Sequence, residues 1–408
     1  MKKPELLAPA GDMEKLKVAV AYGADAVYLG GRHFGLRAGA GNFDNEELVS
    51  GVLYAHQRKV KVYVTVNIFA HNNDLSQLPN FLDVIGQSGA DGVIVSDPGV
   101  LTICRKQLPE LAIHLSTQAN TTNWAAVGFW AEQGVKRIIL ARELSLTEII
   151  EIHRRNPGVE LEIFVHGAMC VSYSGRCLLS NYFTGRDANR GDCAQSCRWK
   201  YALMEEKRPG LYLPIREDNR GTYIMSAGDL CLLKYVPELV AAGINSFKIE
   251  GRMKSVHYLA GVVKAYREAI DGNHTGGEAA SNRQIEPDEI SKVSHRAYST
   301  GFLFDRPMDT EQGEDNRIYQ REYSFIGLVR DFDPDTGMAL VEQRNHFSVG
   351  DRVEILTPAG KPYQQTIDRM YDLEGNSLTV APHPQQLINI PVQQPVCQYA
   401  LLRKELVR

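Results

Sequence analysis

Short apolar segments recur eight times in the first 250 residues, and amphipathic segments separate them. After the first of them, MEKLKVAVAYGA places Leu16 and Val20 on a helix face opposite Lys15 and Lys17. Near-continuous apolar strands that alternate with helices indicate a parallel sheet covered by helices, and eight units indicate a closed (β/α)8 barrel, an α/β fold. The predicted strands are 6–8, 26–30, 60–67, 92–97, 113–118, 137–141, 161–165 and 246–250.

An open, doubly wound parallel sheet is the alternative architecture. Such a sheet normally carries a glycine-rich phosphate loop between its first strand and helix. Neither G-x-G-x-x-G nor G-x-x-x-x-G-K-[ST] occurs in the sequence. The pattern therefore favours the barrel.

The pattern changes after about residue 272. NHTGGEAASNRQIEP is polar and contains glycine, as expected of a linker, and a short helix is predicted over 288–296. From residue 324 the alternation in FIGLVRDF, MALVEQR, FSVGDRVEIL and SLTVAP, with a turn at DPDTG, predicts a small antiparallel β-barrel. We therefore divide the chain into a barrel domain (1–272), a linker with a short helix (273–320) and a β-barrel domain (321–408).

Polar residues follow the predicted strands, and in a (β/α)8 barrel these strand ends form the mouth that carries active sites. We predict catalytic roles for three of them and substrate binding by four more. Each has a structural alternative, such as a strand cap for His166 or a mutual ion pair for Glu250 and Arg252. The candidates are His166, Glu250 and Arg252 for catalysis, and Arg37, Asn67, Gln118 and Arg142 for substrate binding.

Composition narrows the class of protein. The 408 residues are 44% hydrophobic and 23% charged, as in a globular protein. No segment approaches the run of about 20 apolar residues that a membrane helix needs, so we expect no membrane span. The start, MKKPELLAPAGDMEKLK, lacks an apolar signal core, and seven cysteines are an odd number. Both features favour reduced thiols in the cytoplasm.

Four of the seven cysteines lie within 28 residues, in CVSYSGRC and CAQSC. Four thiolates can hold a [4Fe-4S] cluster or a tetrahedral zinc ion. Zinc sites usually use two short C-x2–4-C pairs, and only Cys193 and Cys197 form one. We therefore predict an iron-sulfur cluster on Cys170, Cys177, Cys193 and Cys197. Zinc and unligated thiols are the alternatives, and Cys231 could replace one ligand.

The cysteines belong to an insertion, predicted over 168–230, between the seventh and eighth strands. This connection of about 80 residues is far longer than an ordinary βα loop. Five basic residues against two acidic ones between residues 176 and 200 suit a phosphate-bearing partner, although they could also be ordinary surface arginines. We predict that Arg186 and Arg190 bind substrate, and that Tyr173, Tyr182 or Trp199 could stack on a base.

Five segments resemble the collagenase-like peptidase family of unassigned catalytic type (the peptidase U family), over roughly residues 4–300. They are LLAPAGDMEKLKVAVAYGADAVYLGG, STQANTTN, LAREL, FVHGAMCVSYSGRCLLSNYFTGRDANRGDCAQSCRW and FKIEGRMKS. The β-rich tail is similar to the carboxyl-terminal domain of longer members. Members similar to this chain form 5-hydroxyuridine at the tRNA wobble position with prephenate, or hydroxylate ribosomal RNA or ubiquinone. The resemblance implies a [4Fe-4S] cluster on the four cysteines.

Hydroxylation and proteolysis require different catalytic residues and sequence motifs. None of the eleven histidines begins H-E-x-x-H, and no G-x-S-x-G occurs. His166 and Cys170 could form a cysteine-protease dyad, but a thiolate that ligates a cluster cannot also be the nucleophile. We expect oxygen-independent, prephenate-dependent 5-hydroxylation of a wobble uridine in tRNA, with a paralogous subunit or a second copy as a further partner. A peptidase and a non-catalytic iron-sulfur partner in an RNA or quinone hydroxylation complex are the alternatives.

Overall fold

Eight parallel strands close into a barrel in the computed structural model, which describes residues 3–35, 41–170, 177–196, 203–204, 212–213, 216–218, 221–223, 228–274, 288–304 and 320–406. Each barrel strand pairs with the next one, and the eighth pairs with both the seventh and the first. The predicted closed barrel is therefore confirmed, and the open sheet is wrong.

Seven of the eight barrel strands precede the insertion, and the eighth follows it. The first seven are β1 (Glu5–Pro9), β2 (Ala26–Gly30), β3 (Lys61–Val66), β4 (Gly92–Val95), β5 (Ala112–Leu115), β6 (Arg137–Ile139) and β7 (Glu160–Ala168). The insertion carries β8 (Leu203–Met204), β9 (Tyr212–Leu213), β10 (Arg216–Asp218), β11 (Gly221–Tyr223) and β12 (Asp229–Cys231), and the last barrel strand is β13 (Ser246–Ile249).

Helices follow the barrel strands, and several begin at side-chain caps. Asp44 and Ser145 each form a capping box that satisfies free N–H groups of the first helical turn. The helices are α1 (Met13–Ala21), α2 (Asn45–His56), α3 (Asn72–Leu75), α4 (Leu78–Ser88), α5 (Pro98–Gln107), α6 (Trp124–Glu132), α7 (Leu146–Arg155), α8 (Leu179–Thr184), α9 (Val236–Ala241) and α10 (Val256–His274).

Side chains fill the barrel interior. Leu7, Tyr28 and Ile94 belong to an apolar cluster there, and the ammonium of Lys248 bonds the fully buried carboxylate of Glu162 at 3.0 Å. Although burial raises the pKa of Glu162, the charges of Lys248 and Arg137 lower it below the ordinary value. The interior is therefore a packed core, as is usual for this fold.

The seventh strand is longer than predicted, because its end also pairs with an extension of the barrel sheet. Residues 166–168 of β7 pair antiparallel with β12, which pairs in turn with β14 (Tyr298–Ser299). Paired backbone groups allow the strand to continue beyond the barrel wall. The insertion therefore leaves the barrel and returns to it beside the same strand.

The carboxyl-terminal part is an antiparallel curled sheet with its own core, as predicted. The segment FSVGDRVEIL forms two strands rather than one, because the chain turns at Gly350, where φ is 91°. The strands are β15 (Tyr323–Asp333), β16 (Met338–Gln343), β17 (Phe347–Ser348), β18 (Arg352–Leu356), β19 (Tyr363–Thr366), β20 (Met370–Tyr371), β21 (Ser377–Leu378), β22 (Val380–Ala381), β23 (Leu387–Pro391) and β24 (Leu401–Glu405).

The helix predicted over 288–296 is shorter, Asp288–Ser291. It ends early because the following residues enter other pairings, in which His295 exchanges backbone hydrogen bonds with Gln320 and Arg296 binds Asp229. Among the described residues, no helix combines the length and apolar character needed to cross a bilayer.

Candidate functional site at the barrel mouth

Arg252 lies buried at the mouth, just after β13. Its Nη1 donates to Thr65 Oγ1 at 3.3 Å, and its Nη2 donates to Asn42 Oδ1. Gly30 makes room for this guanidinium, because a Cβ at that position would lie 2.7 Å from Nη2. The sequence predicted Arg252 but not Asn42, Thr65 or Gly30, which only the fold brings to it.

Asn67 and Gln118 meet through a shared serine. The Nδ2 of Asn67 donates to Ser116 Oγ at 3.2 Å, and the backbone N–H of Gln118 donates to the same oxygen at 3.4 Å. Ser96 Oγ donates to the Asn67 carbonyl at 3.1 Å. The ends of β3, β4 and β5 are thereby held together, so the fold brings these two predicted residues to one side of the mouth.

Arg142 lies near the ends of β6 and β7, across the barrel from β2 and β3. Its Nη1 donates to the Ala168 carbonyl at 2.7 Å, and its guanidinium carbon lies 4.6 Å from the centre of the Phe164 ring. The negative electrostatic potential at the face of an aromatic ring stabilises a guanidinium held over it. Arg142 and Arg252 therefore place positive charge on opposite sides of the mouth.

The insertion docks on the mouth through Arg190. Its two terminal nitrogens bind the Asp74 carboxylate at 2.7 and 2.9 Å, and Nη1 also donates to the Phe69 carbonyl. The hydrogen bond from Arg190 holds the pKa of Asp74 below its usual value. A cavity of about 190 Å³ opens beside this pair, with Arg32, Phe34, Gln77 and Arg190 among its lining residues.

Arg186 is also paired with a carboxylate. Its Nε and Nη2 each lie 2.7 Å from Asp192 Oδ1, and the side chain is about half exposed. Salt screens such an exposed pair strongly, so a phosphate can compete for the guanidinium. The predicted contacts of Arg186 and Arg190 with substrate stay predictions.

His166 lies inside an aromatic cage rather than in an open site. The rings of Tyr258, Tyr266 and Tyr298 surround it at centroid distances of 5.8, 5.6 and 5.3 Å. Neither ring nitrogen has a hydrogen-bond partner within the described parts of the chain, and burial lowers the pKa of His166 to about 3. The imidazole is therefore neutral and packs against α10, while its predicted catalytic role stays untested.

Glu250 stands beside this cage. Its backbone N–H donates to the His166 carbonyl at 2.8 Å, and its own carbonyl accepts from Tyr258 Oη at 2.8 Å. Gly251 then adopts a φ of 150°, which suits glycine and lets the chain turn back over the mouth towards Arg252. The predicted catalytic role of Glu250 likewise stays a prediction.

The described cysteines of the predicted cluster lie beside the mouth. Cys170 is exposed just after β7, and Cys193 Sγ accepts the backbone N–H of Gln195 at 3.3 Å. An N–H donated to sulfur suits a thiolate ligand, so the donor chemistry fits an iron-sulfur cluster. Cys197 and Arg37 lie outside the described residues. Within the described ranges no three His, Cys, Asp or Glu side chains gather as a metal site.

The other cysteines have different surroundings. Cys231 pairs with His166 across the β7–β12 ladder, and burial raises the pKa of its thiol. Cys104 packs in the core from α5, where burial raises its pKa to about 12. Cys397 is exposed in the loop that precedes β24. A neutral, buried thiol is a poor metal ligand, so Cys231 is the weaker candidate.

The fold and mouth define an α/β barrel protein whose cysteine-bearing insertion lies beside a polar, arginine-lined mouth. The family model of peptidase family U32 matches residues 11–313, and that of the U32 C-terminal domain matches residues 321–403. The chain belongs to peptidase family U32, which confirms the resemblance seen in its motifs.

Three relatives are similar over most of the chain. The tRNA hydroxylation protein P1 of Bacillus subtilis is 43% identical, over 99% of this chain and 95% of its own. The tRNA hydroxylation protein P of Escherichia coli is 38% identical, over 99% and 97%. The uncharacterized protease MJ0090 of Methanocaldococcus jannaschii is 40% identical, over 86% of each chain. The names of the relatives therefore point to two kinds of activity.

Proposed function

We propose that this chain hydroxylates tRNA, converting C5–H of a wobble uridine to C5–OH without molecular oxygen. The observation that carries the proposal is similarity to two proteins named for tRNA hydroxylation. The alignments cover 99% of this chain and 95% and 97% of the two relatives. If water supplies the oxygen atom, the conversion releases two protons and two electrons. The protons pass to solvent, and the reaction needs an external oxidant that accepts the two electrons, such as a one-electron carrier used twice.

Cys170, Cys177, Cys193 and Cys197 would hold a [4Fe-4S] cluster beside the mouth. Such a cluster, when bound, supplies one-electron transfer. The support is the donor chemistry of the thiols and their place after β7. Cys177 is tied to the same segment, because its carbonyl accepts from Asn189 Nδ2 at 3.0 Å.

The arginines of the mouth would orient the other reactants. Prephenate carries carboxylates, and Arg142 and Arg252, with Arg37, offer planar guanidinium groups that bind carboxylates in pairs of hydrogen bonds. Arg186 and Arg190 would contact the anticodon phosphates. A paralogous subunit or a second copy of the chain would complete the complex.

A nucleoside analysis of cellular tRNA tests this function. Deleting the gene should remove 5-hydroxyuridine from total tRNA, and the intact gene should restore it. The variant Cys177→Ala should fail to restore it, whereas Cys397→Ala, at an exposed cysteine in the loop before β24, should succeed. An unchanged amount of 5-hydroxyuridine in tRNA of the deletion strain would contradict the proposed hydroxylation.

Proteolysis receives less support from the geometry. A cysteine protease needs a histidine that bonds the nucleophilic thiol. Neither nitrogen of His166 bonds Cys170 or any other described group, and three tyrosine rings enclose the imidazole. Peptide cleavage that survives removal of iron and depends on Cys170 would restore this activity as the leading candidate.

A further inference from the structure

Four acceptor oxygens at the barrel mouth are buried without a donor. They are Asn67 Oδ1, Gln118 Oε1, Asn120 Oδ1 and Glu143 Oε2, and none has a hydrogen-bond partner in the described part of the chain. Buried acceptors nearly always have donors, because an unsatisfied one loses its bond to water without replacement. We call these four residues the acceptor arc.

The acceptor arc follows neighbouring strand ends. Asn67 and Gln118 are tied to each other through Ser116, as described above. The turn that carries Gln118 and Asn120 is joined to β6, since Ala141 N donates to the Thr121 carbonyl at 3.2 Å. Glu143 follows two residues later. The four side chains therefore line one side of the mouth, from the end of β3 to the end of β6.

The chemistry of the acceptor arc selects a ligand rich in donors. A carboxylate-bearing co-substrate brings acceptors and fits the arginines instead. A ribonucleoside brings the 2′-hydroxyl of its sugar, and uracil adds the N3–H of its imide edge. An RNA loop can present such a base unstacked, with its Watson–Crick edge free.

We propose that the acceptor arc binds the target uridine of the RNA by accepting hydrogen bonds from its N3–H and from its 2′-hydroxyl group. Gln118 and Asn67 accept from the base edge, and Asn120 and Glu143 accept from the sugar. This inference rests on the proposed function and adds to it the site that holds the reacting nucleoside.

Methylation at N3 tests the proposal, because it removes the donor and leaves C5 unchanged. Binding of the full chain to an anticodon stem-loop is measured by fluorescence anisotropy, with uridine or 3-methyluridine at the wobble position. The wild-type protein should prefer uridine by roughly tenfold, as expected for one lost hydrogen bond to a buried group. In Gln118→Ala this preference should fall to about one, since the partner acceptor is gone.

Two further variants control for misfolding. Gln118→Glu keeps an acceptor oxygen and should keep the preference for uridine. Gln57→Ala, an exposed glutamine at the opposite end of the barrel, should match the wild type. Circular dichroism of each variant verifies that the chain is folded.

Three results would overturn the inference. Equal affinity of the wild type for the two RNAs, or an unchanged preference in Gln118→Ala, would show that the arc does not read N3–H. Binding that falls on magnesium removal but ignores methylation would make the arc a cation site. If deletion of the gene removes 5-hydroxyuridine from cellular tRNA, these results overturn the inference alone. Two results together would overturn the proposed function too. The purified chain would bind neither RNA, and cellular tRNA would keep its hydroxyuridine after gene deletion.

Discussion

At the scale of single residues, strand ends located the candidate site but not the contacts within it. Asn67, Gln118 and Arg252 were predictable because each follows an apolar strand at the mouth. The contacts of Arg252 with Thr65 and Asn42, and of Asn67 with Ser116, were not, because residues distant in sequence meet only once the barrel closes. His166 followed the same strand-end rule, yet a cage of tyrosines from α10 and β14 surrounds it.

The buried guanidinium of Arg252 gives the first prediction at this scale. Arg252→Lys should lower the free energy of unfolding by about 1–3 kcal/mol, because lysine cannot reach both Thr65 and Asn42 and leaves polar groups unpaired. Urea denaturation measures the loss, and nucleoside analysis should show less hydroxyuridine. Arg58→Lys, at an exposed arginine near the end of α2, should change neither value. Equal losses in the two variants would contradict this view of Arg252.

Three buried histidines give a pH dependence. Burial lowers the pKa of His114, His166 and His257 to about 3, against an ordinary value of 6.5. Between those values the unfolded chain binds more protons, so the free energy of unfolding falls as pH falls below 6.5. Each histidine contributes up to about 1.4 kcal/mol per pH unit.

Urea denaturation from pH 7 to pH 5 checks this dependence. His166→Phe should reduce the slope by about one proton, because phenylalanine fits the cage and does not titrate. His346→Phe, at an exposed histidine, is the matched control and should leave the slope unchanged. A slope in His166→Phe equal to that of the wild type would refute the assignment.

At the scale of elements, periodicity predicted the barrel strands and missed what extends them. The seventh strand was expected over 161–165 and runs over Glu160–Ala168. Its added residues pair with β12, from a segment whose sequence carries no strand signal strong enough to predict it. The length of a strand depends on its partners, and those come from the tertiary fold.

A buried ion pair secures this extension of the barrel sheet. Arg296 and Asp229 are both almost fully buried, with Nη2 and Oδ1 2.7 Å apart. Arg296→Met should cost about 3–5 kcal/mol, because it leaves the Asp229 carboxylate buried without its main partner. Arg155→Met breaks an exposed pair with Glu151 and should cost less than about 1 kcal/mol. Thermal unfolding of both variants measures the difference, and similar costs would argue against a fixing role for the buried pair.

At the scale of the whole molecule, composition and alternation were enough to predict two kinds of fold in one chain. They were not enough to predict how the two parts meet. Tyr22 of the barrel side donates to the carbonyls of Leu356 and Tyr399, and Arg403 of the carboxyl-terminal sheet binds Glu289 of the short helix Asp288–Ser291. Such contacts depend on side chains from distant segments, so the proposed division at residues 272 and 320 stays a prediction.

The interface predicts joint unfolding of the two parts. Arg403 is fully buried between Glu289 and Glu354. Arg403→Met leaves both carboxylates without their guanidinium, so the parts should separate and calorimetry should show two transitions where the wild type shows one. A single transition at the wild-type temperature would show that the ion pairs do not couple the parts.

The packed interior of the barrel has a consequence for the order of events. Because side chains and the Glu162–Lys248 pair fill the barrel, a ligand can reach the mouth only from the side of the strands' carboxyl ends. A small reactant cannot enter from beneath once a large RNA lies across the opening. Under the proposed function, a small co-substrate must therefore bind before the RNA, and its product can leave only after the RNA has left.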